Sequence, residues 1–107
     1  MTSRRVIPLV RIVKAVAARC GVTIDEMYGR GRHPQVVFSR RVYVVLARRL
    51  TIAAFPEISG GICQNHPSSH GQYRTALEPE NWKTIGPVVL AIEDDLTRKM
   101  VRRGANA

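Results

Sequence analysis

Apolar residues recur at helical spacing near the start of the chain. They repeat at i, i+3, i+4, i+7 and i+11, and they are Leu9, Ile12, Val13, Val16 and Cys20. Arg11 and Lys14 fall on the opposite side of the same projection. Gly21 follows directly, and glycine commonly ends a helix. The pattern therefore predicts one amphipathic helix that ends at Gly21.

A second, short helix is predicted by its capping residues. Thr23 can cap the helix, and Glu26 stands three residues later, which is the spacing of a capping box. Gly29 then closes the segment. Residues 29–35 combine glycine, proline and arginine, so they predict an exposed basic loop.

The next segment, residues 39–51, contains a Val-Tyr-Val-Val run that alone would favour a strand. Helical spacing is nevertheless kept by its apolar positions, which are Val42, Val45, Leu46 and Leu50. Arg40, Arg41 and Arg48 gather on the other side. We therefore predict a long helix with an arginine-rich outer face.

Two short helices are predicted after it. Pro56 suits a first helical position, Glu57 suits the first turn, and Gly60 and Gly61 mark the end. Asn65 or His66 can cap a second helix that runs over residues 68–77. Two short helices joined by a glycine-bearing turn are the organisation of a helix-turn-helix.

The last predicted element is an amphipathic helix over residues 87–103, after Gly86 and Pro87. Its apolar face consists of Val88, Val89, Ile92, Leu96 and Met100. Favourable i, i+4 ion pairs are Asp94 with Arg98 and Asp95 with Lys99. At 107 residues the chain is long enough for one core only. We predict a single all-α domain, residues 1–107, with its helical core at about residues 9–77 and a helix-turn-helix preceded by a basic loop.

The charge of the chain is concentrated in its first half. The formal net charge is +9, and residues 1–49 hold 11 of the 17 Lys and Arg residues but only Asp25 and Glu26 among the acids. Residues 50–107 carry equal numbers of each sign. Nearly all of the excess is arginine, whose forked guanidinium matches phosphate. An uneven basic surface of this kind favours nucleic acid as the partner, although a solvated face is the plainer explanation.

Other classes of protein receive little support from the sequence. The apolar run near the N-terminus is broken by Arg11 and Lys14 before it reaches signal-peptide or membrane length, so a cytoplasmic protein without a membrane partner is expected. Cys20 and Cys63 are too few for a disulfide framework. The chain offers no catalytic triad, carboxylate pair or cofactor motif, so we expect no enzyme and no cofactor.

His66 and His70 lie four residues apart, as two zinc ligands on one helix face would. The glutamate of the metalloprotease motif is missing between them, and no third ligand is obvious. On helical spacing, His70, Tyr73 and Leu77 would instead face the core, and Ser68, Ser69 and Gln72 would lie outside. Small hydroxyls and an amide at a helix N-terminus suit base edges and phosphates, but an ordinary capped surface helix fits the spacing equally well.

Three segments in order give the chain a family resemblance. They are AARCGVTIDEMYG, then SRRVYVVLARRLT after the basic loop, then FPEISGGICQNHPSSHGQYRTA. Together they resemble the C-terminal DNA-binding domain of the bacterial replication initiator DnaA, over residues 11–77. The resemblance implies a helix-turn-helix that enters the major groove and a basic loop that enters the minor groove. The initiator's phosphate-binding G-x-x-x-x-G-K-[ST] motif is absent from this chain, so ATP hydrolysis is not expected.

The resemblance also assigns roles to individual residues. Ser68 and Ser69 fall where the family's paired hydroxyls contact bases and phosphate, and Gln72 falls where a family histidine approaches the backbone. Arg32 falls near the minor-groove arginine, and Arg40 falls on the arginine that opens the long helix. Arg41 takes the place of a neighbouring glutamine. The chain departs from the family pattern at His66, Pro67, Phe38 and His70, which puts binding to the family's usual box sequence in doubt.

These observations lead to one main prediction and two alternatives. We predict that major-groove contacts come from Asn65, His66, Ser68, Ser69 and Gln72, minor-groove contacts from Arg30 and Arg32, and phosphate contacts from Arg40, Arg41 and Arg48. The protein would then regulate replication initiation or transcription. The alternatives are a protein-binding or homodimerisation module that uses residues 87–103, and a small zinc enzyme that uses His66 and His70.

Overall fold

The computed structural model describes residues 7–29, 31–51, 53–60 and 66–106, and it describes side chains over 7–29, 31–51, 53–60 and 70–98. Over these ranges the chain forms six α-helices and no strand. The helices are α1 (Leu9–Cys20), α2 (Ile24–Tyr28), α3 (Pro34–Leu50), α4 (Phe55–Gly60), α5 (His66–Ala76) and α6 (Pro79–Asn106). The predicted all-α fold class is confirmed.

The first two helices have the ends that the sequence predicts. Gly21 takes φ 73°, and its N–H donates to the carbonyl of Ala17. A side chain with a Cβ is disfavoured at such a positive φ, which is why glycine ends α1. Thr23 and Glu26 form the reciprocal capping box, with the Glu26 N–H 3.0 Å from the Thr23 hydroxyl.

Helix α3 begins earlier than predicted, at Pro34 instead of residue 39. His33 caps it, because its Nδ1 accepts a hydrogen bond from the Gln35 N–H at 3.3 Å, and Pro34 fills a first-turn position that needs no N–H. The helix is also buried on more than one face. Tyr43, Val44, Val45 and Leu46 are all at most 1% exposed. The β-branched run therefore lies in a central helix, where packing overrides its preference for strand.

Helix α3 carries the core of the protein. It packs against α1, α4, α5 and α6, and the buried residues of all six helices join one hydrophobic cluster. The largest fully buried side chains include Tyr43, Ile12, Met27 and Ile58. The basic loop leads directly into α3, and α4 and α5 both pack against α3. One central helix therefore supports all three elements.

The boundary predicted at Gly86 and Pro87 is wrong, because α6 runs unbroken from Pro79 and contains Pro87. Proline removes the N–H that would bond the carbonyl of Lys83. Both Pro87 and Lys83 are exposed, so the lost bond lies on the solvent side of α6 and costs less than it would inside the core. On the inner side, the indole ring of Trp82 lies over Gly86, where a Cβ would come within 2.7 Å of it.

The apolar face of α6 is used inside the protein itself. Ile85, Val89, Ile92 and Leu96 are each at most 6% exposed and belong to the common core. The side chains of residues 99–103 lie outside the described ones, so the predicted Asp95–Lys99 pair and the position of Met100 stay predictions. Over the described part of α6, the face that the alternative assigned to a partner is already covered by α1 and α3.

Candidate nucleic-acid interface

The hydroxyl of Tyr43 fixes the first helix of the predicted helix-turn-helix. It donates a hydrogen bond to the carbonyl of Ile58 at 2.7 Å, and both residues are fully buried. This bond joins the middle of α3 to the last turn of α4. Burial, and to a lesser degree the neighbouring Tyr28 and Glu57, raises the pKa of Tyr43 well above its ordinary value. The phenol therefore keeps its proton and remains a donor at any physiological pH.

The second helix, α5, contacts α3 and α4 through aromatic rings and one guanidinium group. The ring centroid of Phe55 lies 4.9 Å from that of His70 and 5.5 Å from that of Tyr73. The guanidinium of Arg48 lies over the Phe55 ring at 4.6 Å and 5.9 Å from the Tyr73 ring, and it donates to the carbonyl of Ala53 at 3.2 Å. We call these four residues, Arg48, Phe55, His70 and Tyr73, the aromatic brace. The brace joins α5 to α3 and α4.

The predicted inward face of α5 needs correction. His70 is exposed, Tyr73 is only half-buried, and Leu77 is 46% exposed, whereas Ala76 is fully buried. Leu77 lies in the turn after α5, so helical spacing no longer fixes its direction. The ring of His70 lies edge-on to that of Phe55. Near the end of α5 the fully buried side chain is therefore the small one of Ala76, whereas the larger side chains of His70, Tyr73 and Leu77 are exposed or half-buried.

The predicted major-groove residues lie on the first two turns of α5. His66, Ser68 and Ser69 form the start of the helix, although their side chains are outside the described ones, and Asn65 is outside the described residues altogether. Gln72 is half-buried, and its buried Oε1 atom has no hydrogen-bond partner in the described part of the chain. The unpaired N–H groups of the first turn of a helix favour anions such as phosphate.

The basic loop joins α2 to α3 and presents one described arginine to solvent. Arg32 is exposed, as are Gly31 and His33, and Arg30 is outside the described residues. The far end of the loop is attached to α1, because the side-chain amide of Gln35 donates to the carbonyl of Cys20 at 2.7 Å. The structure thus supports an exposed basic loop on a rigid base, as the sequence predicts.

Arg40 does not lie on the outer face of α3, and the prediction that it does is wrong. It is 5% exposed, and its guanidinium donates to four backbone carbonyls. Burial lowers the pKa of Arg40 from its ordinary value, but arginine stays charged at neutral pH. The sequence did contain a signal for this position. Val36, Arg40, Tyr43 and Ala47 follow i, i+4, i+7 and i+11, and all four are buried.

The other two predicted phosphate contacts differ in accessibility. Arg48 is exposed but its guanidinium already serves the aromatic brace. Arg41 is half-buried, and its Nε atom is buried without a hydrogen-bond partner among the described residues. Arg49, which the sequence argument left out, is paired with Glu93 of α6 at 2.7 Å. The three arginines predicted to bind phosphate therefore differ in exposure: Arg40 is buried, Arg41 is half-buried and Arg48 is exposed.

The described residues offer no cluster of three or more His, Cys, Asp or Glu side chains that could hold a metal ion. The zinc alternative depends on His66, whose side chain is outside the described ones, and Cys63 is outside the described residues. Cys20 is a half-buried thiol whose pKa is raised mainly by burial. None of the helices in the described part of the chain has the length and apolar content needed to cross a membrane.

Comparison with known proteins gives one family. The family described as the bacterial dnaA protein helix-turn-helix matches residues 9–69, a span that begins with α1 and ends in α5. A search of curated individual proteins finds no match. The matched span contains the basic loop, α3, α4 and the start of α5, and it leaves out α6. Because it covers more than half of the chain, the protein belongs to the bacterial DnaA helix-turn-helix family, whose domains bind DNA.

Proposed function

We propose that the protein is a sequence-preferring, double-stranded DNA-binding protein without enzymatic activity. Helix α5 would enter the major groove, and the basic loop would enter the adjacent minor groove. The observation that carries this proposal is the family match, since residues 9–69 include both of the elements that would contact DNA. The charge distribution supports it, because the net charge of +9 arises entirely in residues 1–49.

In this proposal the two elements make different contacts with DNA. The first turn of α5 carries Ser68 and Ser69, whose small hydroxyls can approach base edges without a clash. Arg32 extends from an exposed loop, and arginine is attracted to the narrow minor groove of A·T-rich DNA. Arg41 and Arg48 would contact phosphates beside them.

A protein of this kind, carrying the initiator's DNA-binding module, would regulate replication initiation or transcription. It could compete for the sites that an initiator occupies, or it could act at promoters. Deletion of the gene followed by a count of replication origins per cell separates the two roles. A changed origin number supports the replication role, whereas an unchanged number with altered transcripts supports the promoter role.

The DNA-binding proposal is tested by fluorescence anisotropy with two labelled duplexes, one carrying the DnaA box and one scrambled. Both are titrated over a salt series with chelator present. Each neutralised phosphate contributes a slope of about −0.9 to the plot of log affinity against log salt. A steep slope with preference for the box supports the full proposal. A steep slope without preference supports DNA binding but moves the target to another sequence, and no binding at low salt overturns the proposal.

Matched variants then separate base reading from phosphate contact. Ser69→Ala should weaken binding to preferred duplexes selectively, by about 1–3 kcal/mol, and leave binding to scrambled DNA unchanged. Arg41→Gln should weaken binding to all duplexes and reduce the salt slope by about one. Lys83→Gln removes one charge at an exposed position of α6, outside the matched span, and serves as the control for net charge. A uniform loss from Ser69→Ala would show that Ser69 only positions the helix.

A further inference from the structure

The guanidinium of Arg40 is the centre of a hydrogen-bond network that holds the basic loop. Its Nε donates to the carbonyl of Met27 at 3.2 Å, and its Nη1 donates to that of Gly31 at 2.7 Å. Its Nη2 donates to the carbonyl of Glu26 at 2.8 Å and to that of Gly29 at 2.6 Å. The network thus joins α3 to the end of α2 and to both sides of the segment that contains Arg30.

Only arginine can make this set of contacts. The four acceptors lie on different sides of one planar group, and the guanidinium supplies donors in a fixed fork. Lysine carries the same charge but places its donors at a single point at the end of a flexible stem. The carbonyls of Glu26 and Met27 also lie at the C-terminal end of α2, where that of Glu26 additionally accepts a hydrogen bond from the Gly29 N–H at 3.3 Å.

Arg40 is therefore poorly placed to bind a phosphate. At 5% exposure, with all three of its guanidinium nitrogens already donating to carbonyls, it would have to leave the loop before it could reach DNA. Arg32, by contrast, follows directly after one of the anchored carbonyls, that of Gly31, and is exposed. Fixing the Gly31 carbonyl restricts the backbone from which the Arg32 side chain extends.

We propose that Arg40 is a positioning residue for minor-groove recognition, which anchors the loop so that Arg32 is presented in one orientation. This inference rests on the proposed function. Pre-ordering a loop lowers the conformational entropy that binding must remove, so the anchor strengthens the contact without touching DNA. If Arg40 instead contacted a phosphate directly, Arg40→Lys would keep the minor-groove preference, and DNA would shift the NMR signal of Arg40.

The DNA experiment changes only the minor groove of the duplex. A G·C pair presents the guanine amino group in the minor groove, and an inosine·C pair lacks that group but keeps the same major-groove edge. Wild-type protein is titrated with two duplexes that differ by this replacement at the positions beside the box. The expected preference for the inosine duplex is about tenfold. Arg32→Ala should abolish it.

Arg40→Lys is the decisive variant because it keeps the charge and removes the fork. We expect the inosine preference to fall to about one, as in Arg32→Ala, with the salt slope within about half a unit of that of the wild type. The double variant should lose no more than either single one, because both act through the same contact. Retained preference in Arg40→Lys would overturn the inference, since lysine can replace arginine at a phosphate.

A measurement on the unaltered protein covers the case in which Arg40→Lys does not fold. NMR signals of the arginine side chains are followed while the duplex is added. The Arg40 Nε–H should exchange slowly with solvent and keep its chemical shift, whereas the Arg32 signal should move. A large DNA-induced shift at Arg40 would overturn the inference. Absence of any DNA binding would instead overturn the proposed function, and binding without inosine preference would remove the minor-groove contact on which the inference depends.

Discussion

The hydroxyl of Tyr43 and the carbonyl of Ile58 lie 2.7 Å apart in the centre of the protein, where they join α3 to α4. The bond fixes the first helix of the helix-turn-helix to the buried core. Tyr43→Phe should reduce the free energy of unfolding by about 1–3 kcal/mol, because the Ile58 carbonyl is left buried without this donor. Urea denaturation at neutral pH measures the loss.

The same pair predicts a dependence of stability on pH. Burial raises the pKa of Tyr43 in the folded state above its unfolded value of about 10. The stabilisation from the neutral phenol is therefore complete below that pH and is lost as pH rises above it. The difference in unfolding free energy between wild type and Tyr43→Phe should be constant below about pH 9 and should shrink above about pH 10. A difference that grows at high pH would contradict the assignment.

Arg48 should stabilise the protein through the ring of Phe55, which lies 4.6 Å from its guanidinium. Arg48→Gln is expected to cost about 0.5–1 kcal/mol of stability, and most of this coupling should disappear in a Phe55→Leu background. Arg49→Gln is the matched control, since the neighbouring Arg49 pairs with Glu93 and should show no coupling to Phe55. Equal coupling of both arginines to Phe55 would show that positive charge alone causes the stabilisation, and not the position of the Arg48 guanidinium over the ring.

Gly86 should resist substitution because of Trp82. Alanine favours a helix over glycine by about 1 kcal/mol, so Gly86→Ala would stabilise α6 if space were free. A Cβ at Gly86 would instead lie 2.7 Å from the Trp82 ring, so we expect lower stability and a change in tryptophan fluorescence. In a Trp82→Leu background the same substitution should be neutral or stabilising. Thermal unfolding of the four proteins of this cycle gives the answer.

Helix α6 should be needed for the fold even though the family match ends before it. Leu96 is 6% exposed in the common core, so Leu96→Ala should cost about 2–4 kcal/mol in the unfolding free energy. Leu90 lies on the same helix at 50% exposure, and Leu90→Ala should change stability by less than about 0.5 kcal/mol. If α6 served only to bind a partner, the two variants would unfold alike and differ only in sedimentation.

The sequence by itself determined the elements whose signals are local. The helical spacing from Leu9 to Cys20, Gly21 at positive φ, and the Thr23–Glu26 capping box appear in the structure as predicted. These features depend on residues within one or two helical turns of each other, so the amino-acid sequence is enough to predict them. The two short helices α4 and α5 are present as predicted, and the family match confirms the family resemblance.

Three other features are decided by contacts between distant parts of the chain, which only the tertiary structure shows. Helical spacing places Arg40 on a buried face of α3, but the carbonyls that its buried guanidinium needs come from α2 and the basic loop. The continuous helix through Pro87 depends on solvent around one face of α6 and on the core along the other. On α5, Ala76 is fully buried whereas His70 is exposed, contrary to the helical projection. In each case the energy of burial or of a distant hydrogen bond outweighed the local preference, and only the assembled fold sets that balance.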